Sequence, residues 1–214
     1  LRNEKWATYA KGGSSTLFWG SLYTVLSWDW AKRTIPGYCG RAGRETPKVE
    51  CADLMGNPGL TWPLRAAAFS PSILPANSVF SARGYTIQAP SNKLLSLLSV
   101  TSSAAFDALF KLCLGRSGHP EFIVGVLQHL PLPPISAREE DELSNLARRA
   151  WSVKRSLDSM HETSHAFLLP PGLNEKLTGL NVDAAQRELY SIQQRIDEMA
   201  FALYGISKED QAAI

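Results

Sequence analysis

The apolar positions of this chain change their period twice. Between residues 6 and 30, Phe18, Leu22, Val25 and Trp28 are interspersed with Ser, Thr and Gly. Aromatic and β-branched residues in that setting predict strands. Residues 31–61 carry Pro36-Gly37, Gly40, Gly43, Pro47 and Asn57-Pro58-Gly59, and read as turns and loops. Short strands are expected again over residues 62–90, punctuated by Pro71, Pro75, Gly84 and Pro90. From residue 92 the pattern becomes helical. Leu94, Leu95, Leu97 and Leu98, then Ala104 to Phe110, predict one or two buried helices, with Ser102 or Ser103 as N-cap of the second. Phe122 to Leu127 reads as a short apolar strand, which Leu130-Pro131-Leu132-Pro133-Pro134 ends in an extended, proline-stiffened segment.

The last part of the chain has the sharpest periodicity. Leu143, Leu146, Ala150, Val153, Leu157 and Met160 recur at spacings of 3 and 4, and so do Val182, Ala185, Leu189, Ile192, Ile196, Met199, Leu203 and Ile206. Both are heptad stripes. Pro170-Pro171-Gly172 and Asn174 break the chain between them, so the two helices are expected to fold back as an antiparallel hairpin. The alternative is that each stripe packs on the preceding body. The expected class is mixed α+β: a β-rich domain with buried helices over residues 1–134, and a coiled-coil-like helical hairpin over residues 135–214.

Composition narrows the picture. Hydrophobic content of 44% suits a globular protein. No apolar run reaches the roughly 18 residues of a membrane helix. Leu1 to Lys5 do not resemble a signal peptide, and a start at Leu rather than Met points to a piece of a longer protein. Cys39, Cys51 and Cys113 are odd in number and lack CxxC spacing, so a reducing cytoplasm is expected. Charge is uneven. Residues 1–134 carry 13 Lys and Arg against 7 Asp and Glu, and residues 135–214 carry 9 against 13. The net +2 therefore divides into +6 and −4, a basic body facing a polyanion and an acidic helical tail.

Against that charge, Lys11-Gly12-Gly13-Ser14-Ser15, set between Tyr9 and Phe18-Trp19, becomes a candidate phosphate contact. Glycines let backbone amides approach a ligand, and a cation and hydroxyls beside them also donate to phosphate oxygens. The same residues also make an ordinary polar turn between strands. Arg41 and Arg44 lie in the following loop. Trp62 with Arg65 is a second candidate, since an arginine beside an aromatic can stack on a base or pair with guanine; a core Trp with a surface Arg is the other reading. His161-Glu162-Thr163-Ser164-His165 matches the HExxH pattern of zinc hydrolases, with Glu175 or Glu188 as a third ligand. That pattern needs helical context, and a polar helix end is the competing reading.

The order of segments resembles the C-terminal part of large adenine-specific DNA methyltransferases of type II restriction-modification and phage-exclusion (BREX and DISARM type) systems. The resemblance is carried by Trp6…Tyr9-Ala10-Lys11-Gly12-Gly13, Gly59-Leu60-Thr61-Trp62-Pro63, Val79-Phe80 with Gly84, Leu94-Leu95-Ser96-Leu97-Leu98, Val124 to Pro133, and Ile196 to Ile206. It covers most of the chain, least at residues 31–58 and 161–181. The family's Asn-Pro-Pro-Tyr/Phe motif is missing here: the sole Asn-Pro is Asn57-Pro58-Gly59-Leu60. The resemblance implies a target-recognition region with a helical spacer, partnered by double-stranded DNA, by an upstream methyltransferase domain and, through the hairpin, by other defence subunits. It implies S-adenosylmethionine as cofactor of the parent enzyme, none in this chain, and no catalytic residue here. Lys11, Gly12, Gly13, Ser14, Ser15, Arg41, Arg44, Trp62 and Arg65 are the expected DNA contacts. A zinc hydrolase built on His161, Glu162 and His165, and a non-enzymatic interaction protein using the hairpin, are the alternatives.

Overall fold

The computed structural model describes residues 6–12, 15–36, 51–81, 84–115 and 120–214. The chain is α+β, with two small sheets against a layer of helices. In the first sheet, β1 (Trp6–Ala10) lies between β2 (Val25–Ser27), antiparallel, and β5 (Ser78–Phe80), parallel. In the second, β3 (Gly59–Thr61) lies between β4 (Ser72–Leu74) and β6 (Thr86–Ile87), both antiparallel. Phe18, on the segment between β1 and β2, bridges β4 of the second sheet. Its N–H donates to the Pro71 carbonyl at 2.9 Å, and its carbonyl accepts from Ile73 N–H at 3.1 Å. Those bonds, with its buried ring, hold Phe18 at a left-handed φ of 66°, which a non-glycine residue adopts only when its surroundings impose it.

The helices start and stop on local chemistry. α1 (Ser91–Thr101) follows Pro90 and buries Leu94 and Leu98. α2 (Ala104–Leu114) is capped by the Ser103 hydroxyl, which accepts from Phe106 N–H, and ends at Gly115. Ser103 is thus the cap of the two serines considered. Residues 124–127, expected within a strand, form the short helix α3 (Val124–Leu127). Only Glu121 bridges a neighbour, at Arg65, and Phe122 uses its N–H on the Leu64 carbonyl. With no strand alongside among the described residues to continue the ladder, the segment closes its own turn, and Val126 and Leu127 donate to the Ile123 carbonyl.

α4 (Ala137–Asp158) opens with a full capping box. Ser136 Oγ accepts from Glu139 N–H, and the Glu139 carboxylate accepts from Ser136 N–H at 2.8 Å. The Ser136 hydroxyl, which also donates to that carboxylate at 2.6 Å, and then the Ser136 N–H hold the Glu139 carboxyl below its usual range. The Pro-Pro-Gly break does more than separate two helices: Pro171 is the first residue of α5 (Pro171–Thr178). α6 (Val182–Tyr204) runs from an Asn181 cap to a left-handed Gly205, and α7 (Lys208–Gln211) follows.

The main core crosses residue 134. Phe18, Leu60, Leu94 and Leu98 pack with Ala147 and Ala150 of α4 and with Ile192 and Ile196 of α6. α4 contacts α1 as well as α6. Two ion pairs, Arg149 with Glu188 and Glu142 with Arg195, set α4 and α6 antiparallel, because one position rises by seven as the other falls by seven. Ala147 lies off the heptad stripe and is fully buried, where α1 comes close enough for Ser99 Oγ to donate to the Leu143 carbonyl at 2.7 Å. A second core is aromatic, built on Trp62, Phe69, Phe106, Phe110 and Phe122. Among the described residues, no single helix is long and apolar enough to cross a membrane.

Candidate nucleic-acid interface

The glycine turn begins where β1 ends. Ala10 is fully buried, Lys11 is exposed, and Gly12 takes a φ of 82°, a left-handed conformation that favours glycine. Backbone from the far side of the sheet braces this point. Ser81 N–H donates to the Ala10 carbonyl at 3.1 Å, and Gly84 N–H donates to the Ser81 carbonyl at 3.0 Å. A Cβ at position 84 would stand 2.4 Å from the Ala10 carbonyl oxygen and 2.8 Å from the Gly12 nitrogen. Two glycines therefore let two backbones meet here, one by its φ and one by its missing side chain. Ser15 is exposed, and its hydroxyl shares a hydrogen bond with Ser70 Oγ at 2.6 Å. Gly13, Ser14, Arg41 and Arg44 lie outside the described residues.

A cleft of about 30 Å³ opens beside the turn, lined by Gly12, Ser21, Leu22, Thr61, Pro63 and Ser72 among others. Ligand pockets for nucleotide-sized molecules run to about 300–1,000 Å³. The cleft is far smaller and cannot enclose a base. Lys11 forms no ion pair among the described residues, which leaves its ammonium free for an anion.

The loop after the turn is pinned from the helical side. Leu22 N–H donates to His165 Nδ1 at 3.1 Å, and Ser21 Oγ lies 3.2 Å from the same nitrogen. The His165 ring stacks on Trp19, with centroids 4.9 Å apart. Trp19 Nε1 donates to Asp158 at 2.8 Å, and the Ser164 hydroxyl donates to the same carboxylate oxygen. Trp151 meets Trp19 edge-on, and the Arg155 guanidinium lies over both rings. Burial is the main force pushing the His165 pKa down; Asp158 opposes it and Arg155 adds to it. An Nδ1 that accepts from Leu22 carries no proton, which agrees with that direction.

This geometry changes the reading of the HExxH segment. α4 ends at Asp158, and residues 161–165 follow in turns, so His161 and His165 do not stand one helical turn apart. His161 and Glu162 are exposed, and His165 Nδ1 is occupied by Leu22. Of the third ligands considered, Glu188 is held by Arg149 and Glu175 sits on α5. No three His, Cys, Asp or Glu side chains gather into a metal-binding group among the described residues.

Trp62 is not available to DNA. It is 1% exposed, its Nε1 donates to the Phe122 carbonyl at 2.8 Å, and its ring packs on Phe69 and Tyr85. Its indole N–H is satisfied inside an aromatic cluster, as buried indoles require. Arg65 is exposed but ion-paired with Glu121, its Nε donating at 2.6 Å. Of the expected contacts, the structure brings together Lys11 and Gly12 at the β1 exit, places Ser15 on the loop that follows, and sets Trp62 and Arg65 apart in different roles. The anchor of Trp19, Asp158 and His165 carries no sequence signal, because Trp19 lies more than a hundred positions from the other two and no motif pairs it with them.

No protein-family model matches the chain, and no curated protein matches it.

Proposed function

We propose that this chain is the sequence-recognition module of a site-specific adenine-N6 DNA methyltransferase of a restriction-modification or phage-defence system. The observation that carries the reading is the exposed Lys11, in no ion pair among the described residues, at the left-handed Gly12 turn, braced by Gly84, on the basic part of the chain. The resemblance in segment order supplies the parent activity. A separate domain flips the adenine and methylates it from S-adenosylmethionine. Residues of this chain dock on the duplex, where phosphate contacts hold register and loop side chains read base edges. The acidic helices offer a surface for other subunits. Free thiols at Cys51 and Cys113 suit a reducing cytoplasm.

Charge reversal at Lys11, Arg41 and Arg44 tests this directly. DNA binding measured by fluorescence anisotropy is expected to collapse in the triple variant, while thermal unfolding stays as in the parent. Unchanged affinity would refute duplex recognition through this part of the chain.

A further inference from the structure

The polar positions beside the two heptad stripes lead to a second site. Along α4 and its C-cap, Arg149, Ser152, Ser156 and Ser159 each stand one position before a stripe residue. On α6 the Asn181 cap, Ala184 and Glu188 do the same. Such spacings keep each set on one face of its helix. Glu142 with Arg195 and Arg149 with Glu188 span the two helices along that side. Beyond the second pair the side chains are short: serines on α4, Ala184 and Asn181 on α6. The space they leave, bounded at its end by Asn174 and Thr178 of α5, is a cavity of about 500 Å³. Small-molecule sites run to roughly 300–1,000 Å³. It shares no lining residue with the cleft at the glycine turn.

The lining favours one chemical class. Arg149 and Glu188 are its ionisable side chains, and they neutralise each other through two bonds, Nη2 donating at 2.8 Å. Neither an anion nor a cation finds an uncommitted partner there. The hydroxyls of Ser156 and Ser159 donate to the carbonyls of Ser152 and Ser156 at 3.0 and 2.6 Å, so what they have left is the capacity to accept. Asn174, 2% exposed, donates from Nδ2 to Ser159 Oγ at 3.2 Å and accepts from Thr178 at 2.7 Å. That buried network fixes the Ser159 oxygen in place. Val153 and Ala185 add an apolar wall. A wholly apolar ligand would take water from the serine oxygens and return no bond. Hydroxyl acceptors beside an apolar wall suit a molecule rich in O–H donors with a C–H face. We infer that the cavity between α4, α5 and α6 binds a small neutral polyol, a mono- or disaccharide.

The test follows backbone amide NMR shifts of the intact chain during titration with glucose, galactose, ribose, maltose and sucrose, and separately with inorganic phosphate and with benzene. At least one sugar is expected to give saturable shifts confined to residues 149–159 and 174–188. Ser156→Leu and Ala184→Leu fill the cavity from opposite walls and are each expected to weaken that binding about tenfold. Both positions are exposed, so the unfolding midpoint and duplex affinity stay as in the parent. Ser156→Ala removes only the hydroxyl and is expected to cost about threefold, which keeps the test sound if a leucine variant fails to fold. No saturation with any of the sugars would overturn the inference. Saturation by phosphate or benzene alone would overturn the ligand class, and sugar binding unchanged in all the folded variants would overturn the site. None of these results bears on DNA recognition, which is read from duplex affinity.

Discussion

A methyl group at position 84 would meet the Ala10 carbonyl and the Gly12 nitrogen, both backbone atoms that cannot swing aside. Gly84→Ala is expected to cost about 1–3 kcal/mol, read as a lower urea midpoint with an unchanged slope. Its DNA affinity should fall as well, because the brace behind Lys11 shifts. His165 makes a different prediction. Its pKa is depressed in the folded chain, so the stability it contributes is fully present above its ordinary value of 6.5 and is lost as pH falls below that value through the folded one. The Trp19 indole NMR signal should move in that window, and His165→Gln should abolish the movement. A Trp19 signal that ignores acidification would show that the ring is not what holds the loop. Trp62→Ala should cost about 3–5 kcal/mol, with any loss of DNA binding following unfolding. At this scale the sequence was legible where the chemistry is local. Lys11-Gly12 could be read as an exposed turn from five residues. The role of Trp62 depends on a carbonyl 60 positions away, and nothing around it in the chain distinguishes a core indole from a base-stacking one.

The elements divide in the same way. α2 and α4 announce their starts, because Ser103 and the Ser136–Glu139 box satisfy backbone amides within three residues of the cap. Ser136→Ala is expected to lower stability by about 1 kcal/mol in chemical denaturation, with no change in α2 or the sheets. The α4 and α6 stripes were equally plain, since a heptad repeat is a property of consecutive turns. What the stripes did not reveal is α1 lying across α4 at Ala147 and Ala150, where small side chains and the Ser99–Leu143 bond permit a close approach. An alanine off the stripe gives no sign of what it touches. Residues 124–127 went the other way. A short apolar run fits strand or helix, and among the described residues no strand lies beside it to hold it extended. α6 also clasps the α1–α2 corner, where the Asp197 carboxylate accepts from Ala104 N–H and Gln193 Nε2 donates to the Ser102 carbonyl.

Across the whole molecule, the core joins the sheets to α4 and α6. Removing residues 135–214 would uncover Phe18, Leu60, Leu94 and Leu98 together. The remaining fragment is expected to bind a hydrophobic dye and to melt without a cooperative transition. A sharp thermal transition in that fragment would show that the first part holds its own core. The charge asymmetry belongs to this scale too, since it is the basic part that carries the Lys11 turn. The most direct measurement is the salt dependence of duplex affinity for the intact chain, followed by anisotropy. Recognition through Lys11, Arg41 and Arg44 predicts that log affinity falls linearly with log salt, with a slope no steeper than about −3, and that Lys11→Ala makes it shallower by about one. An affinity indifferent to salt, or no binding at low salt, would contradict DNA recognition by this chain.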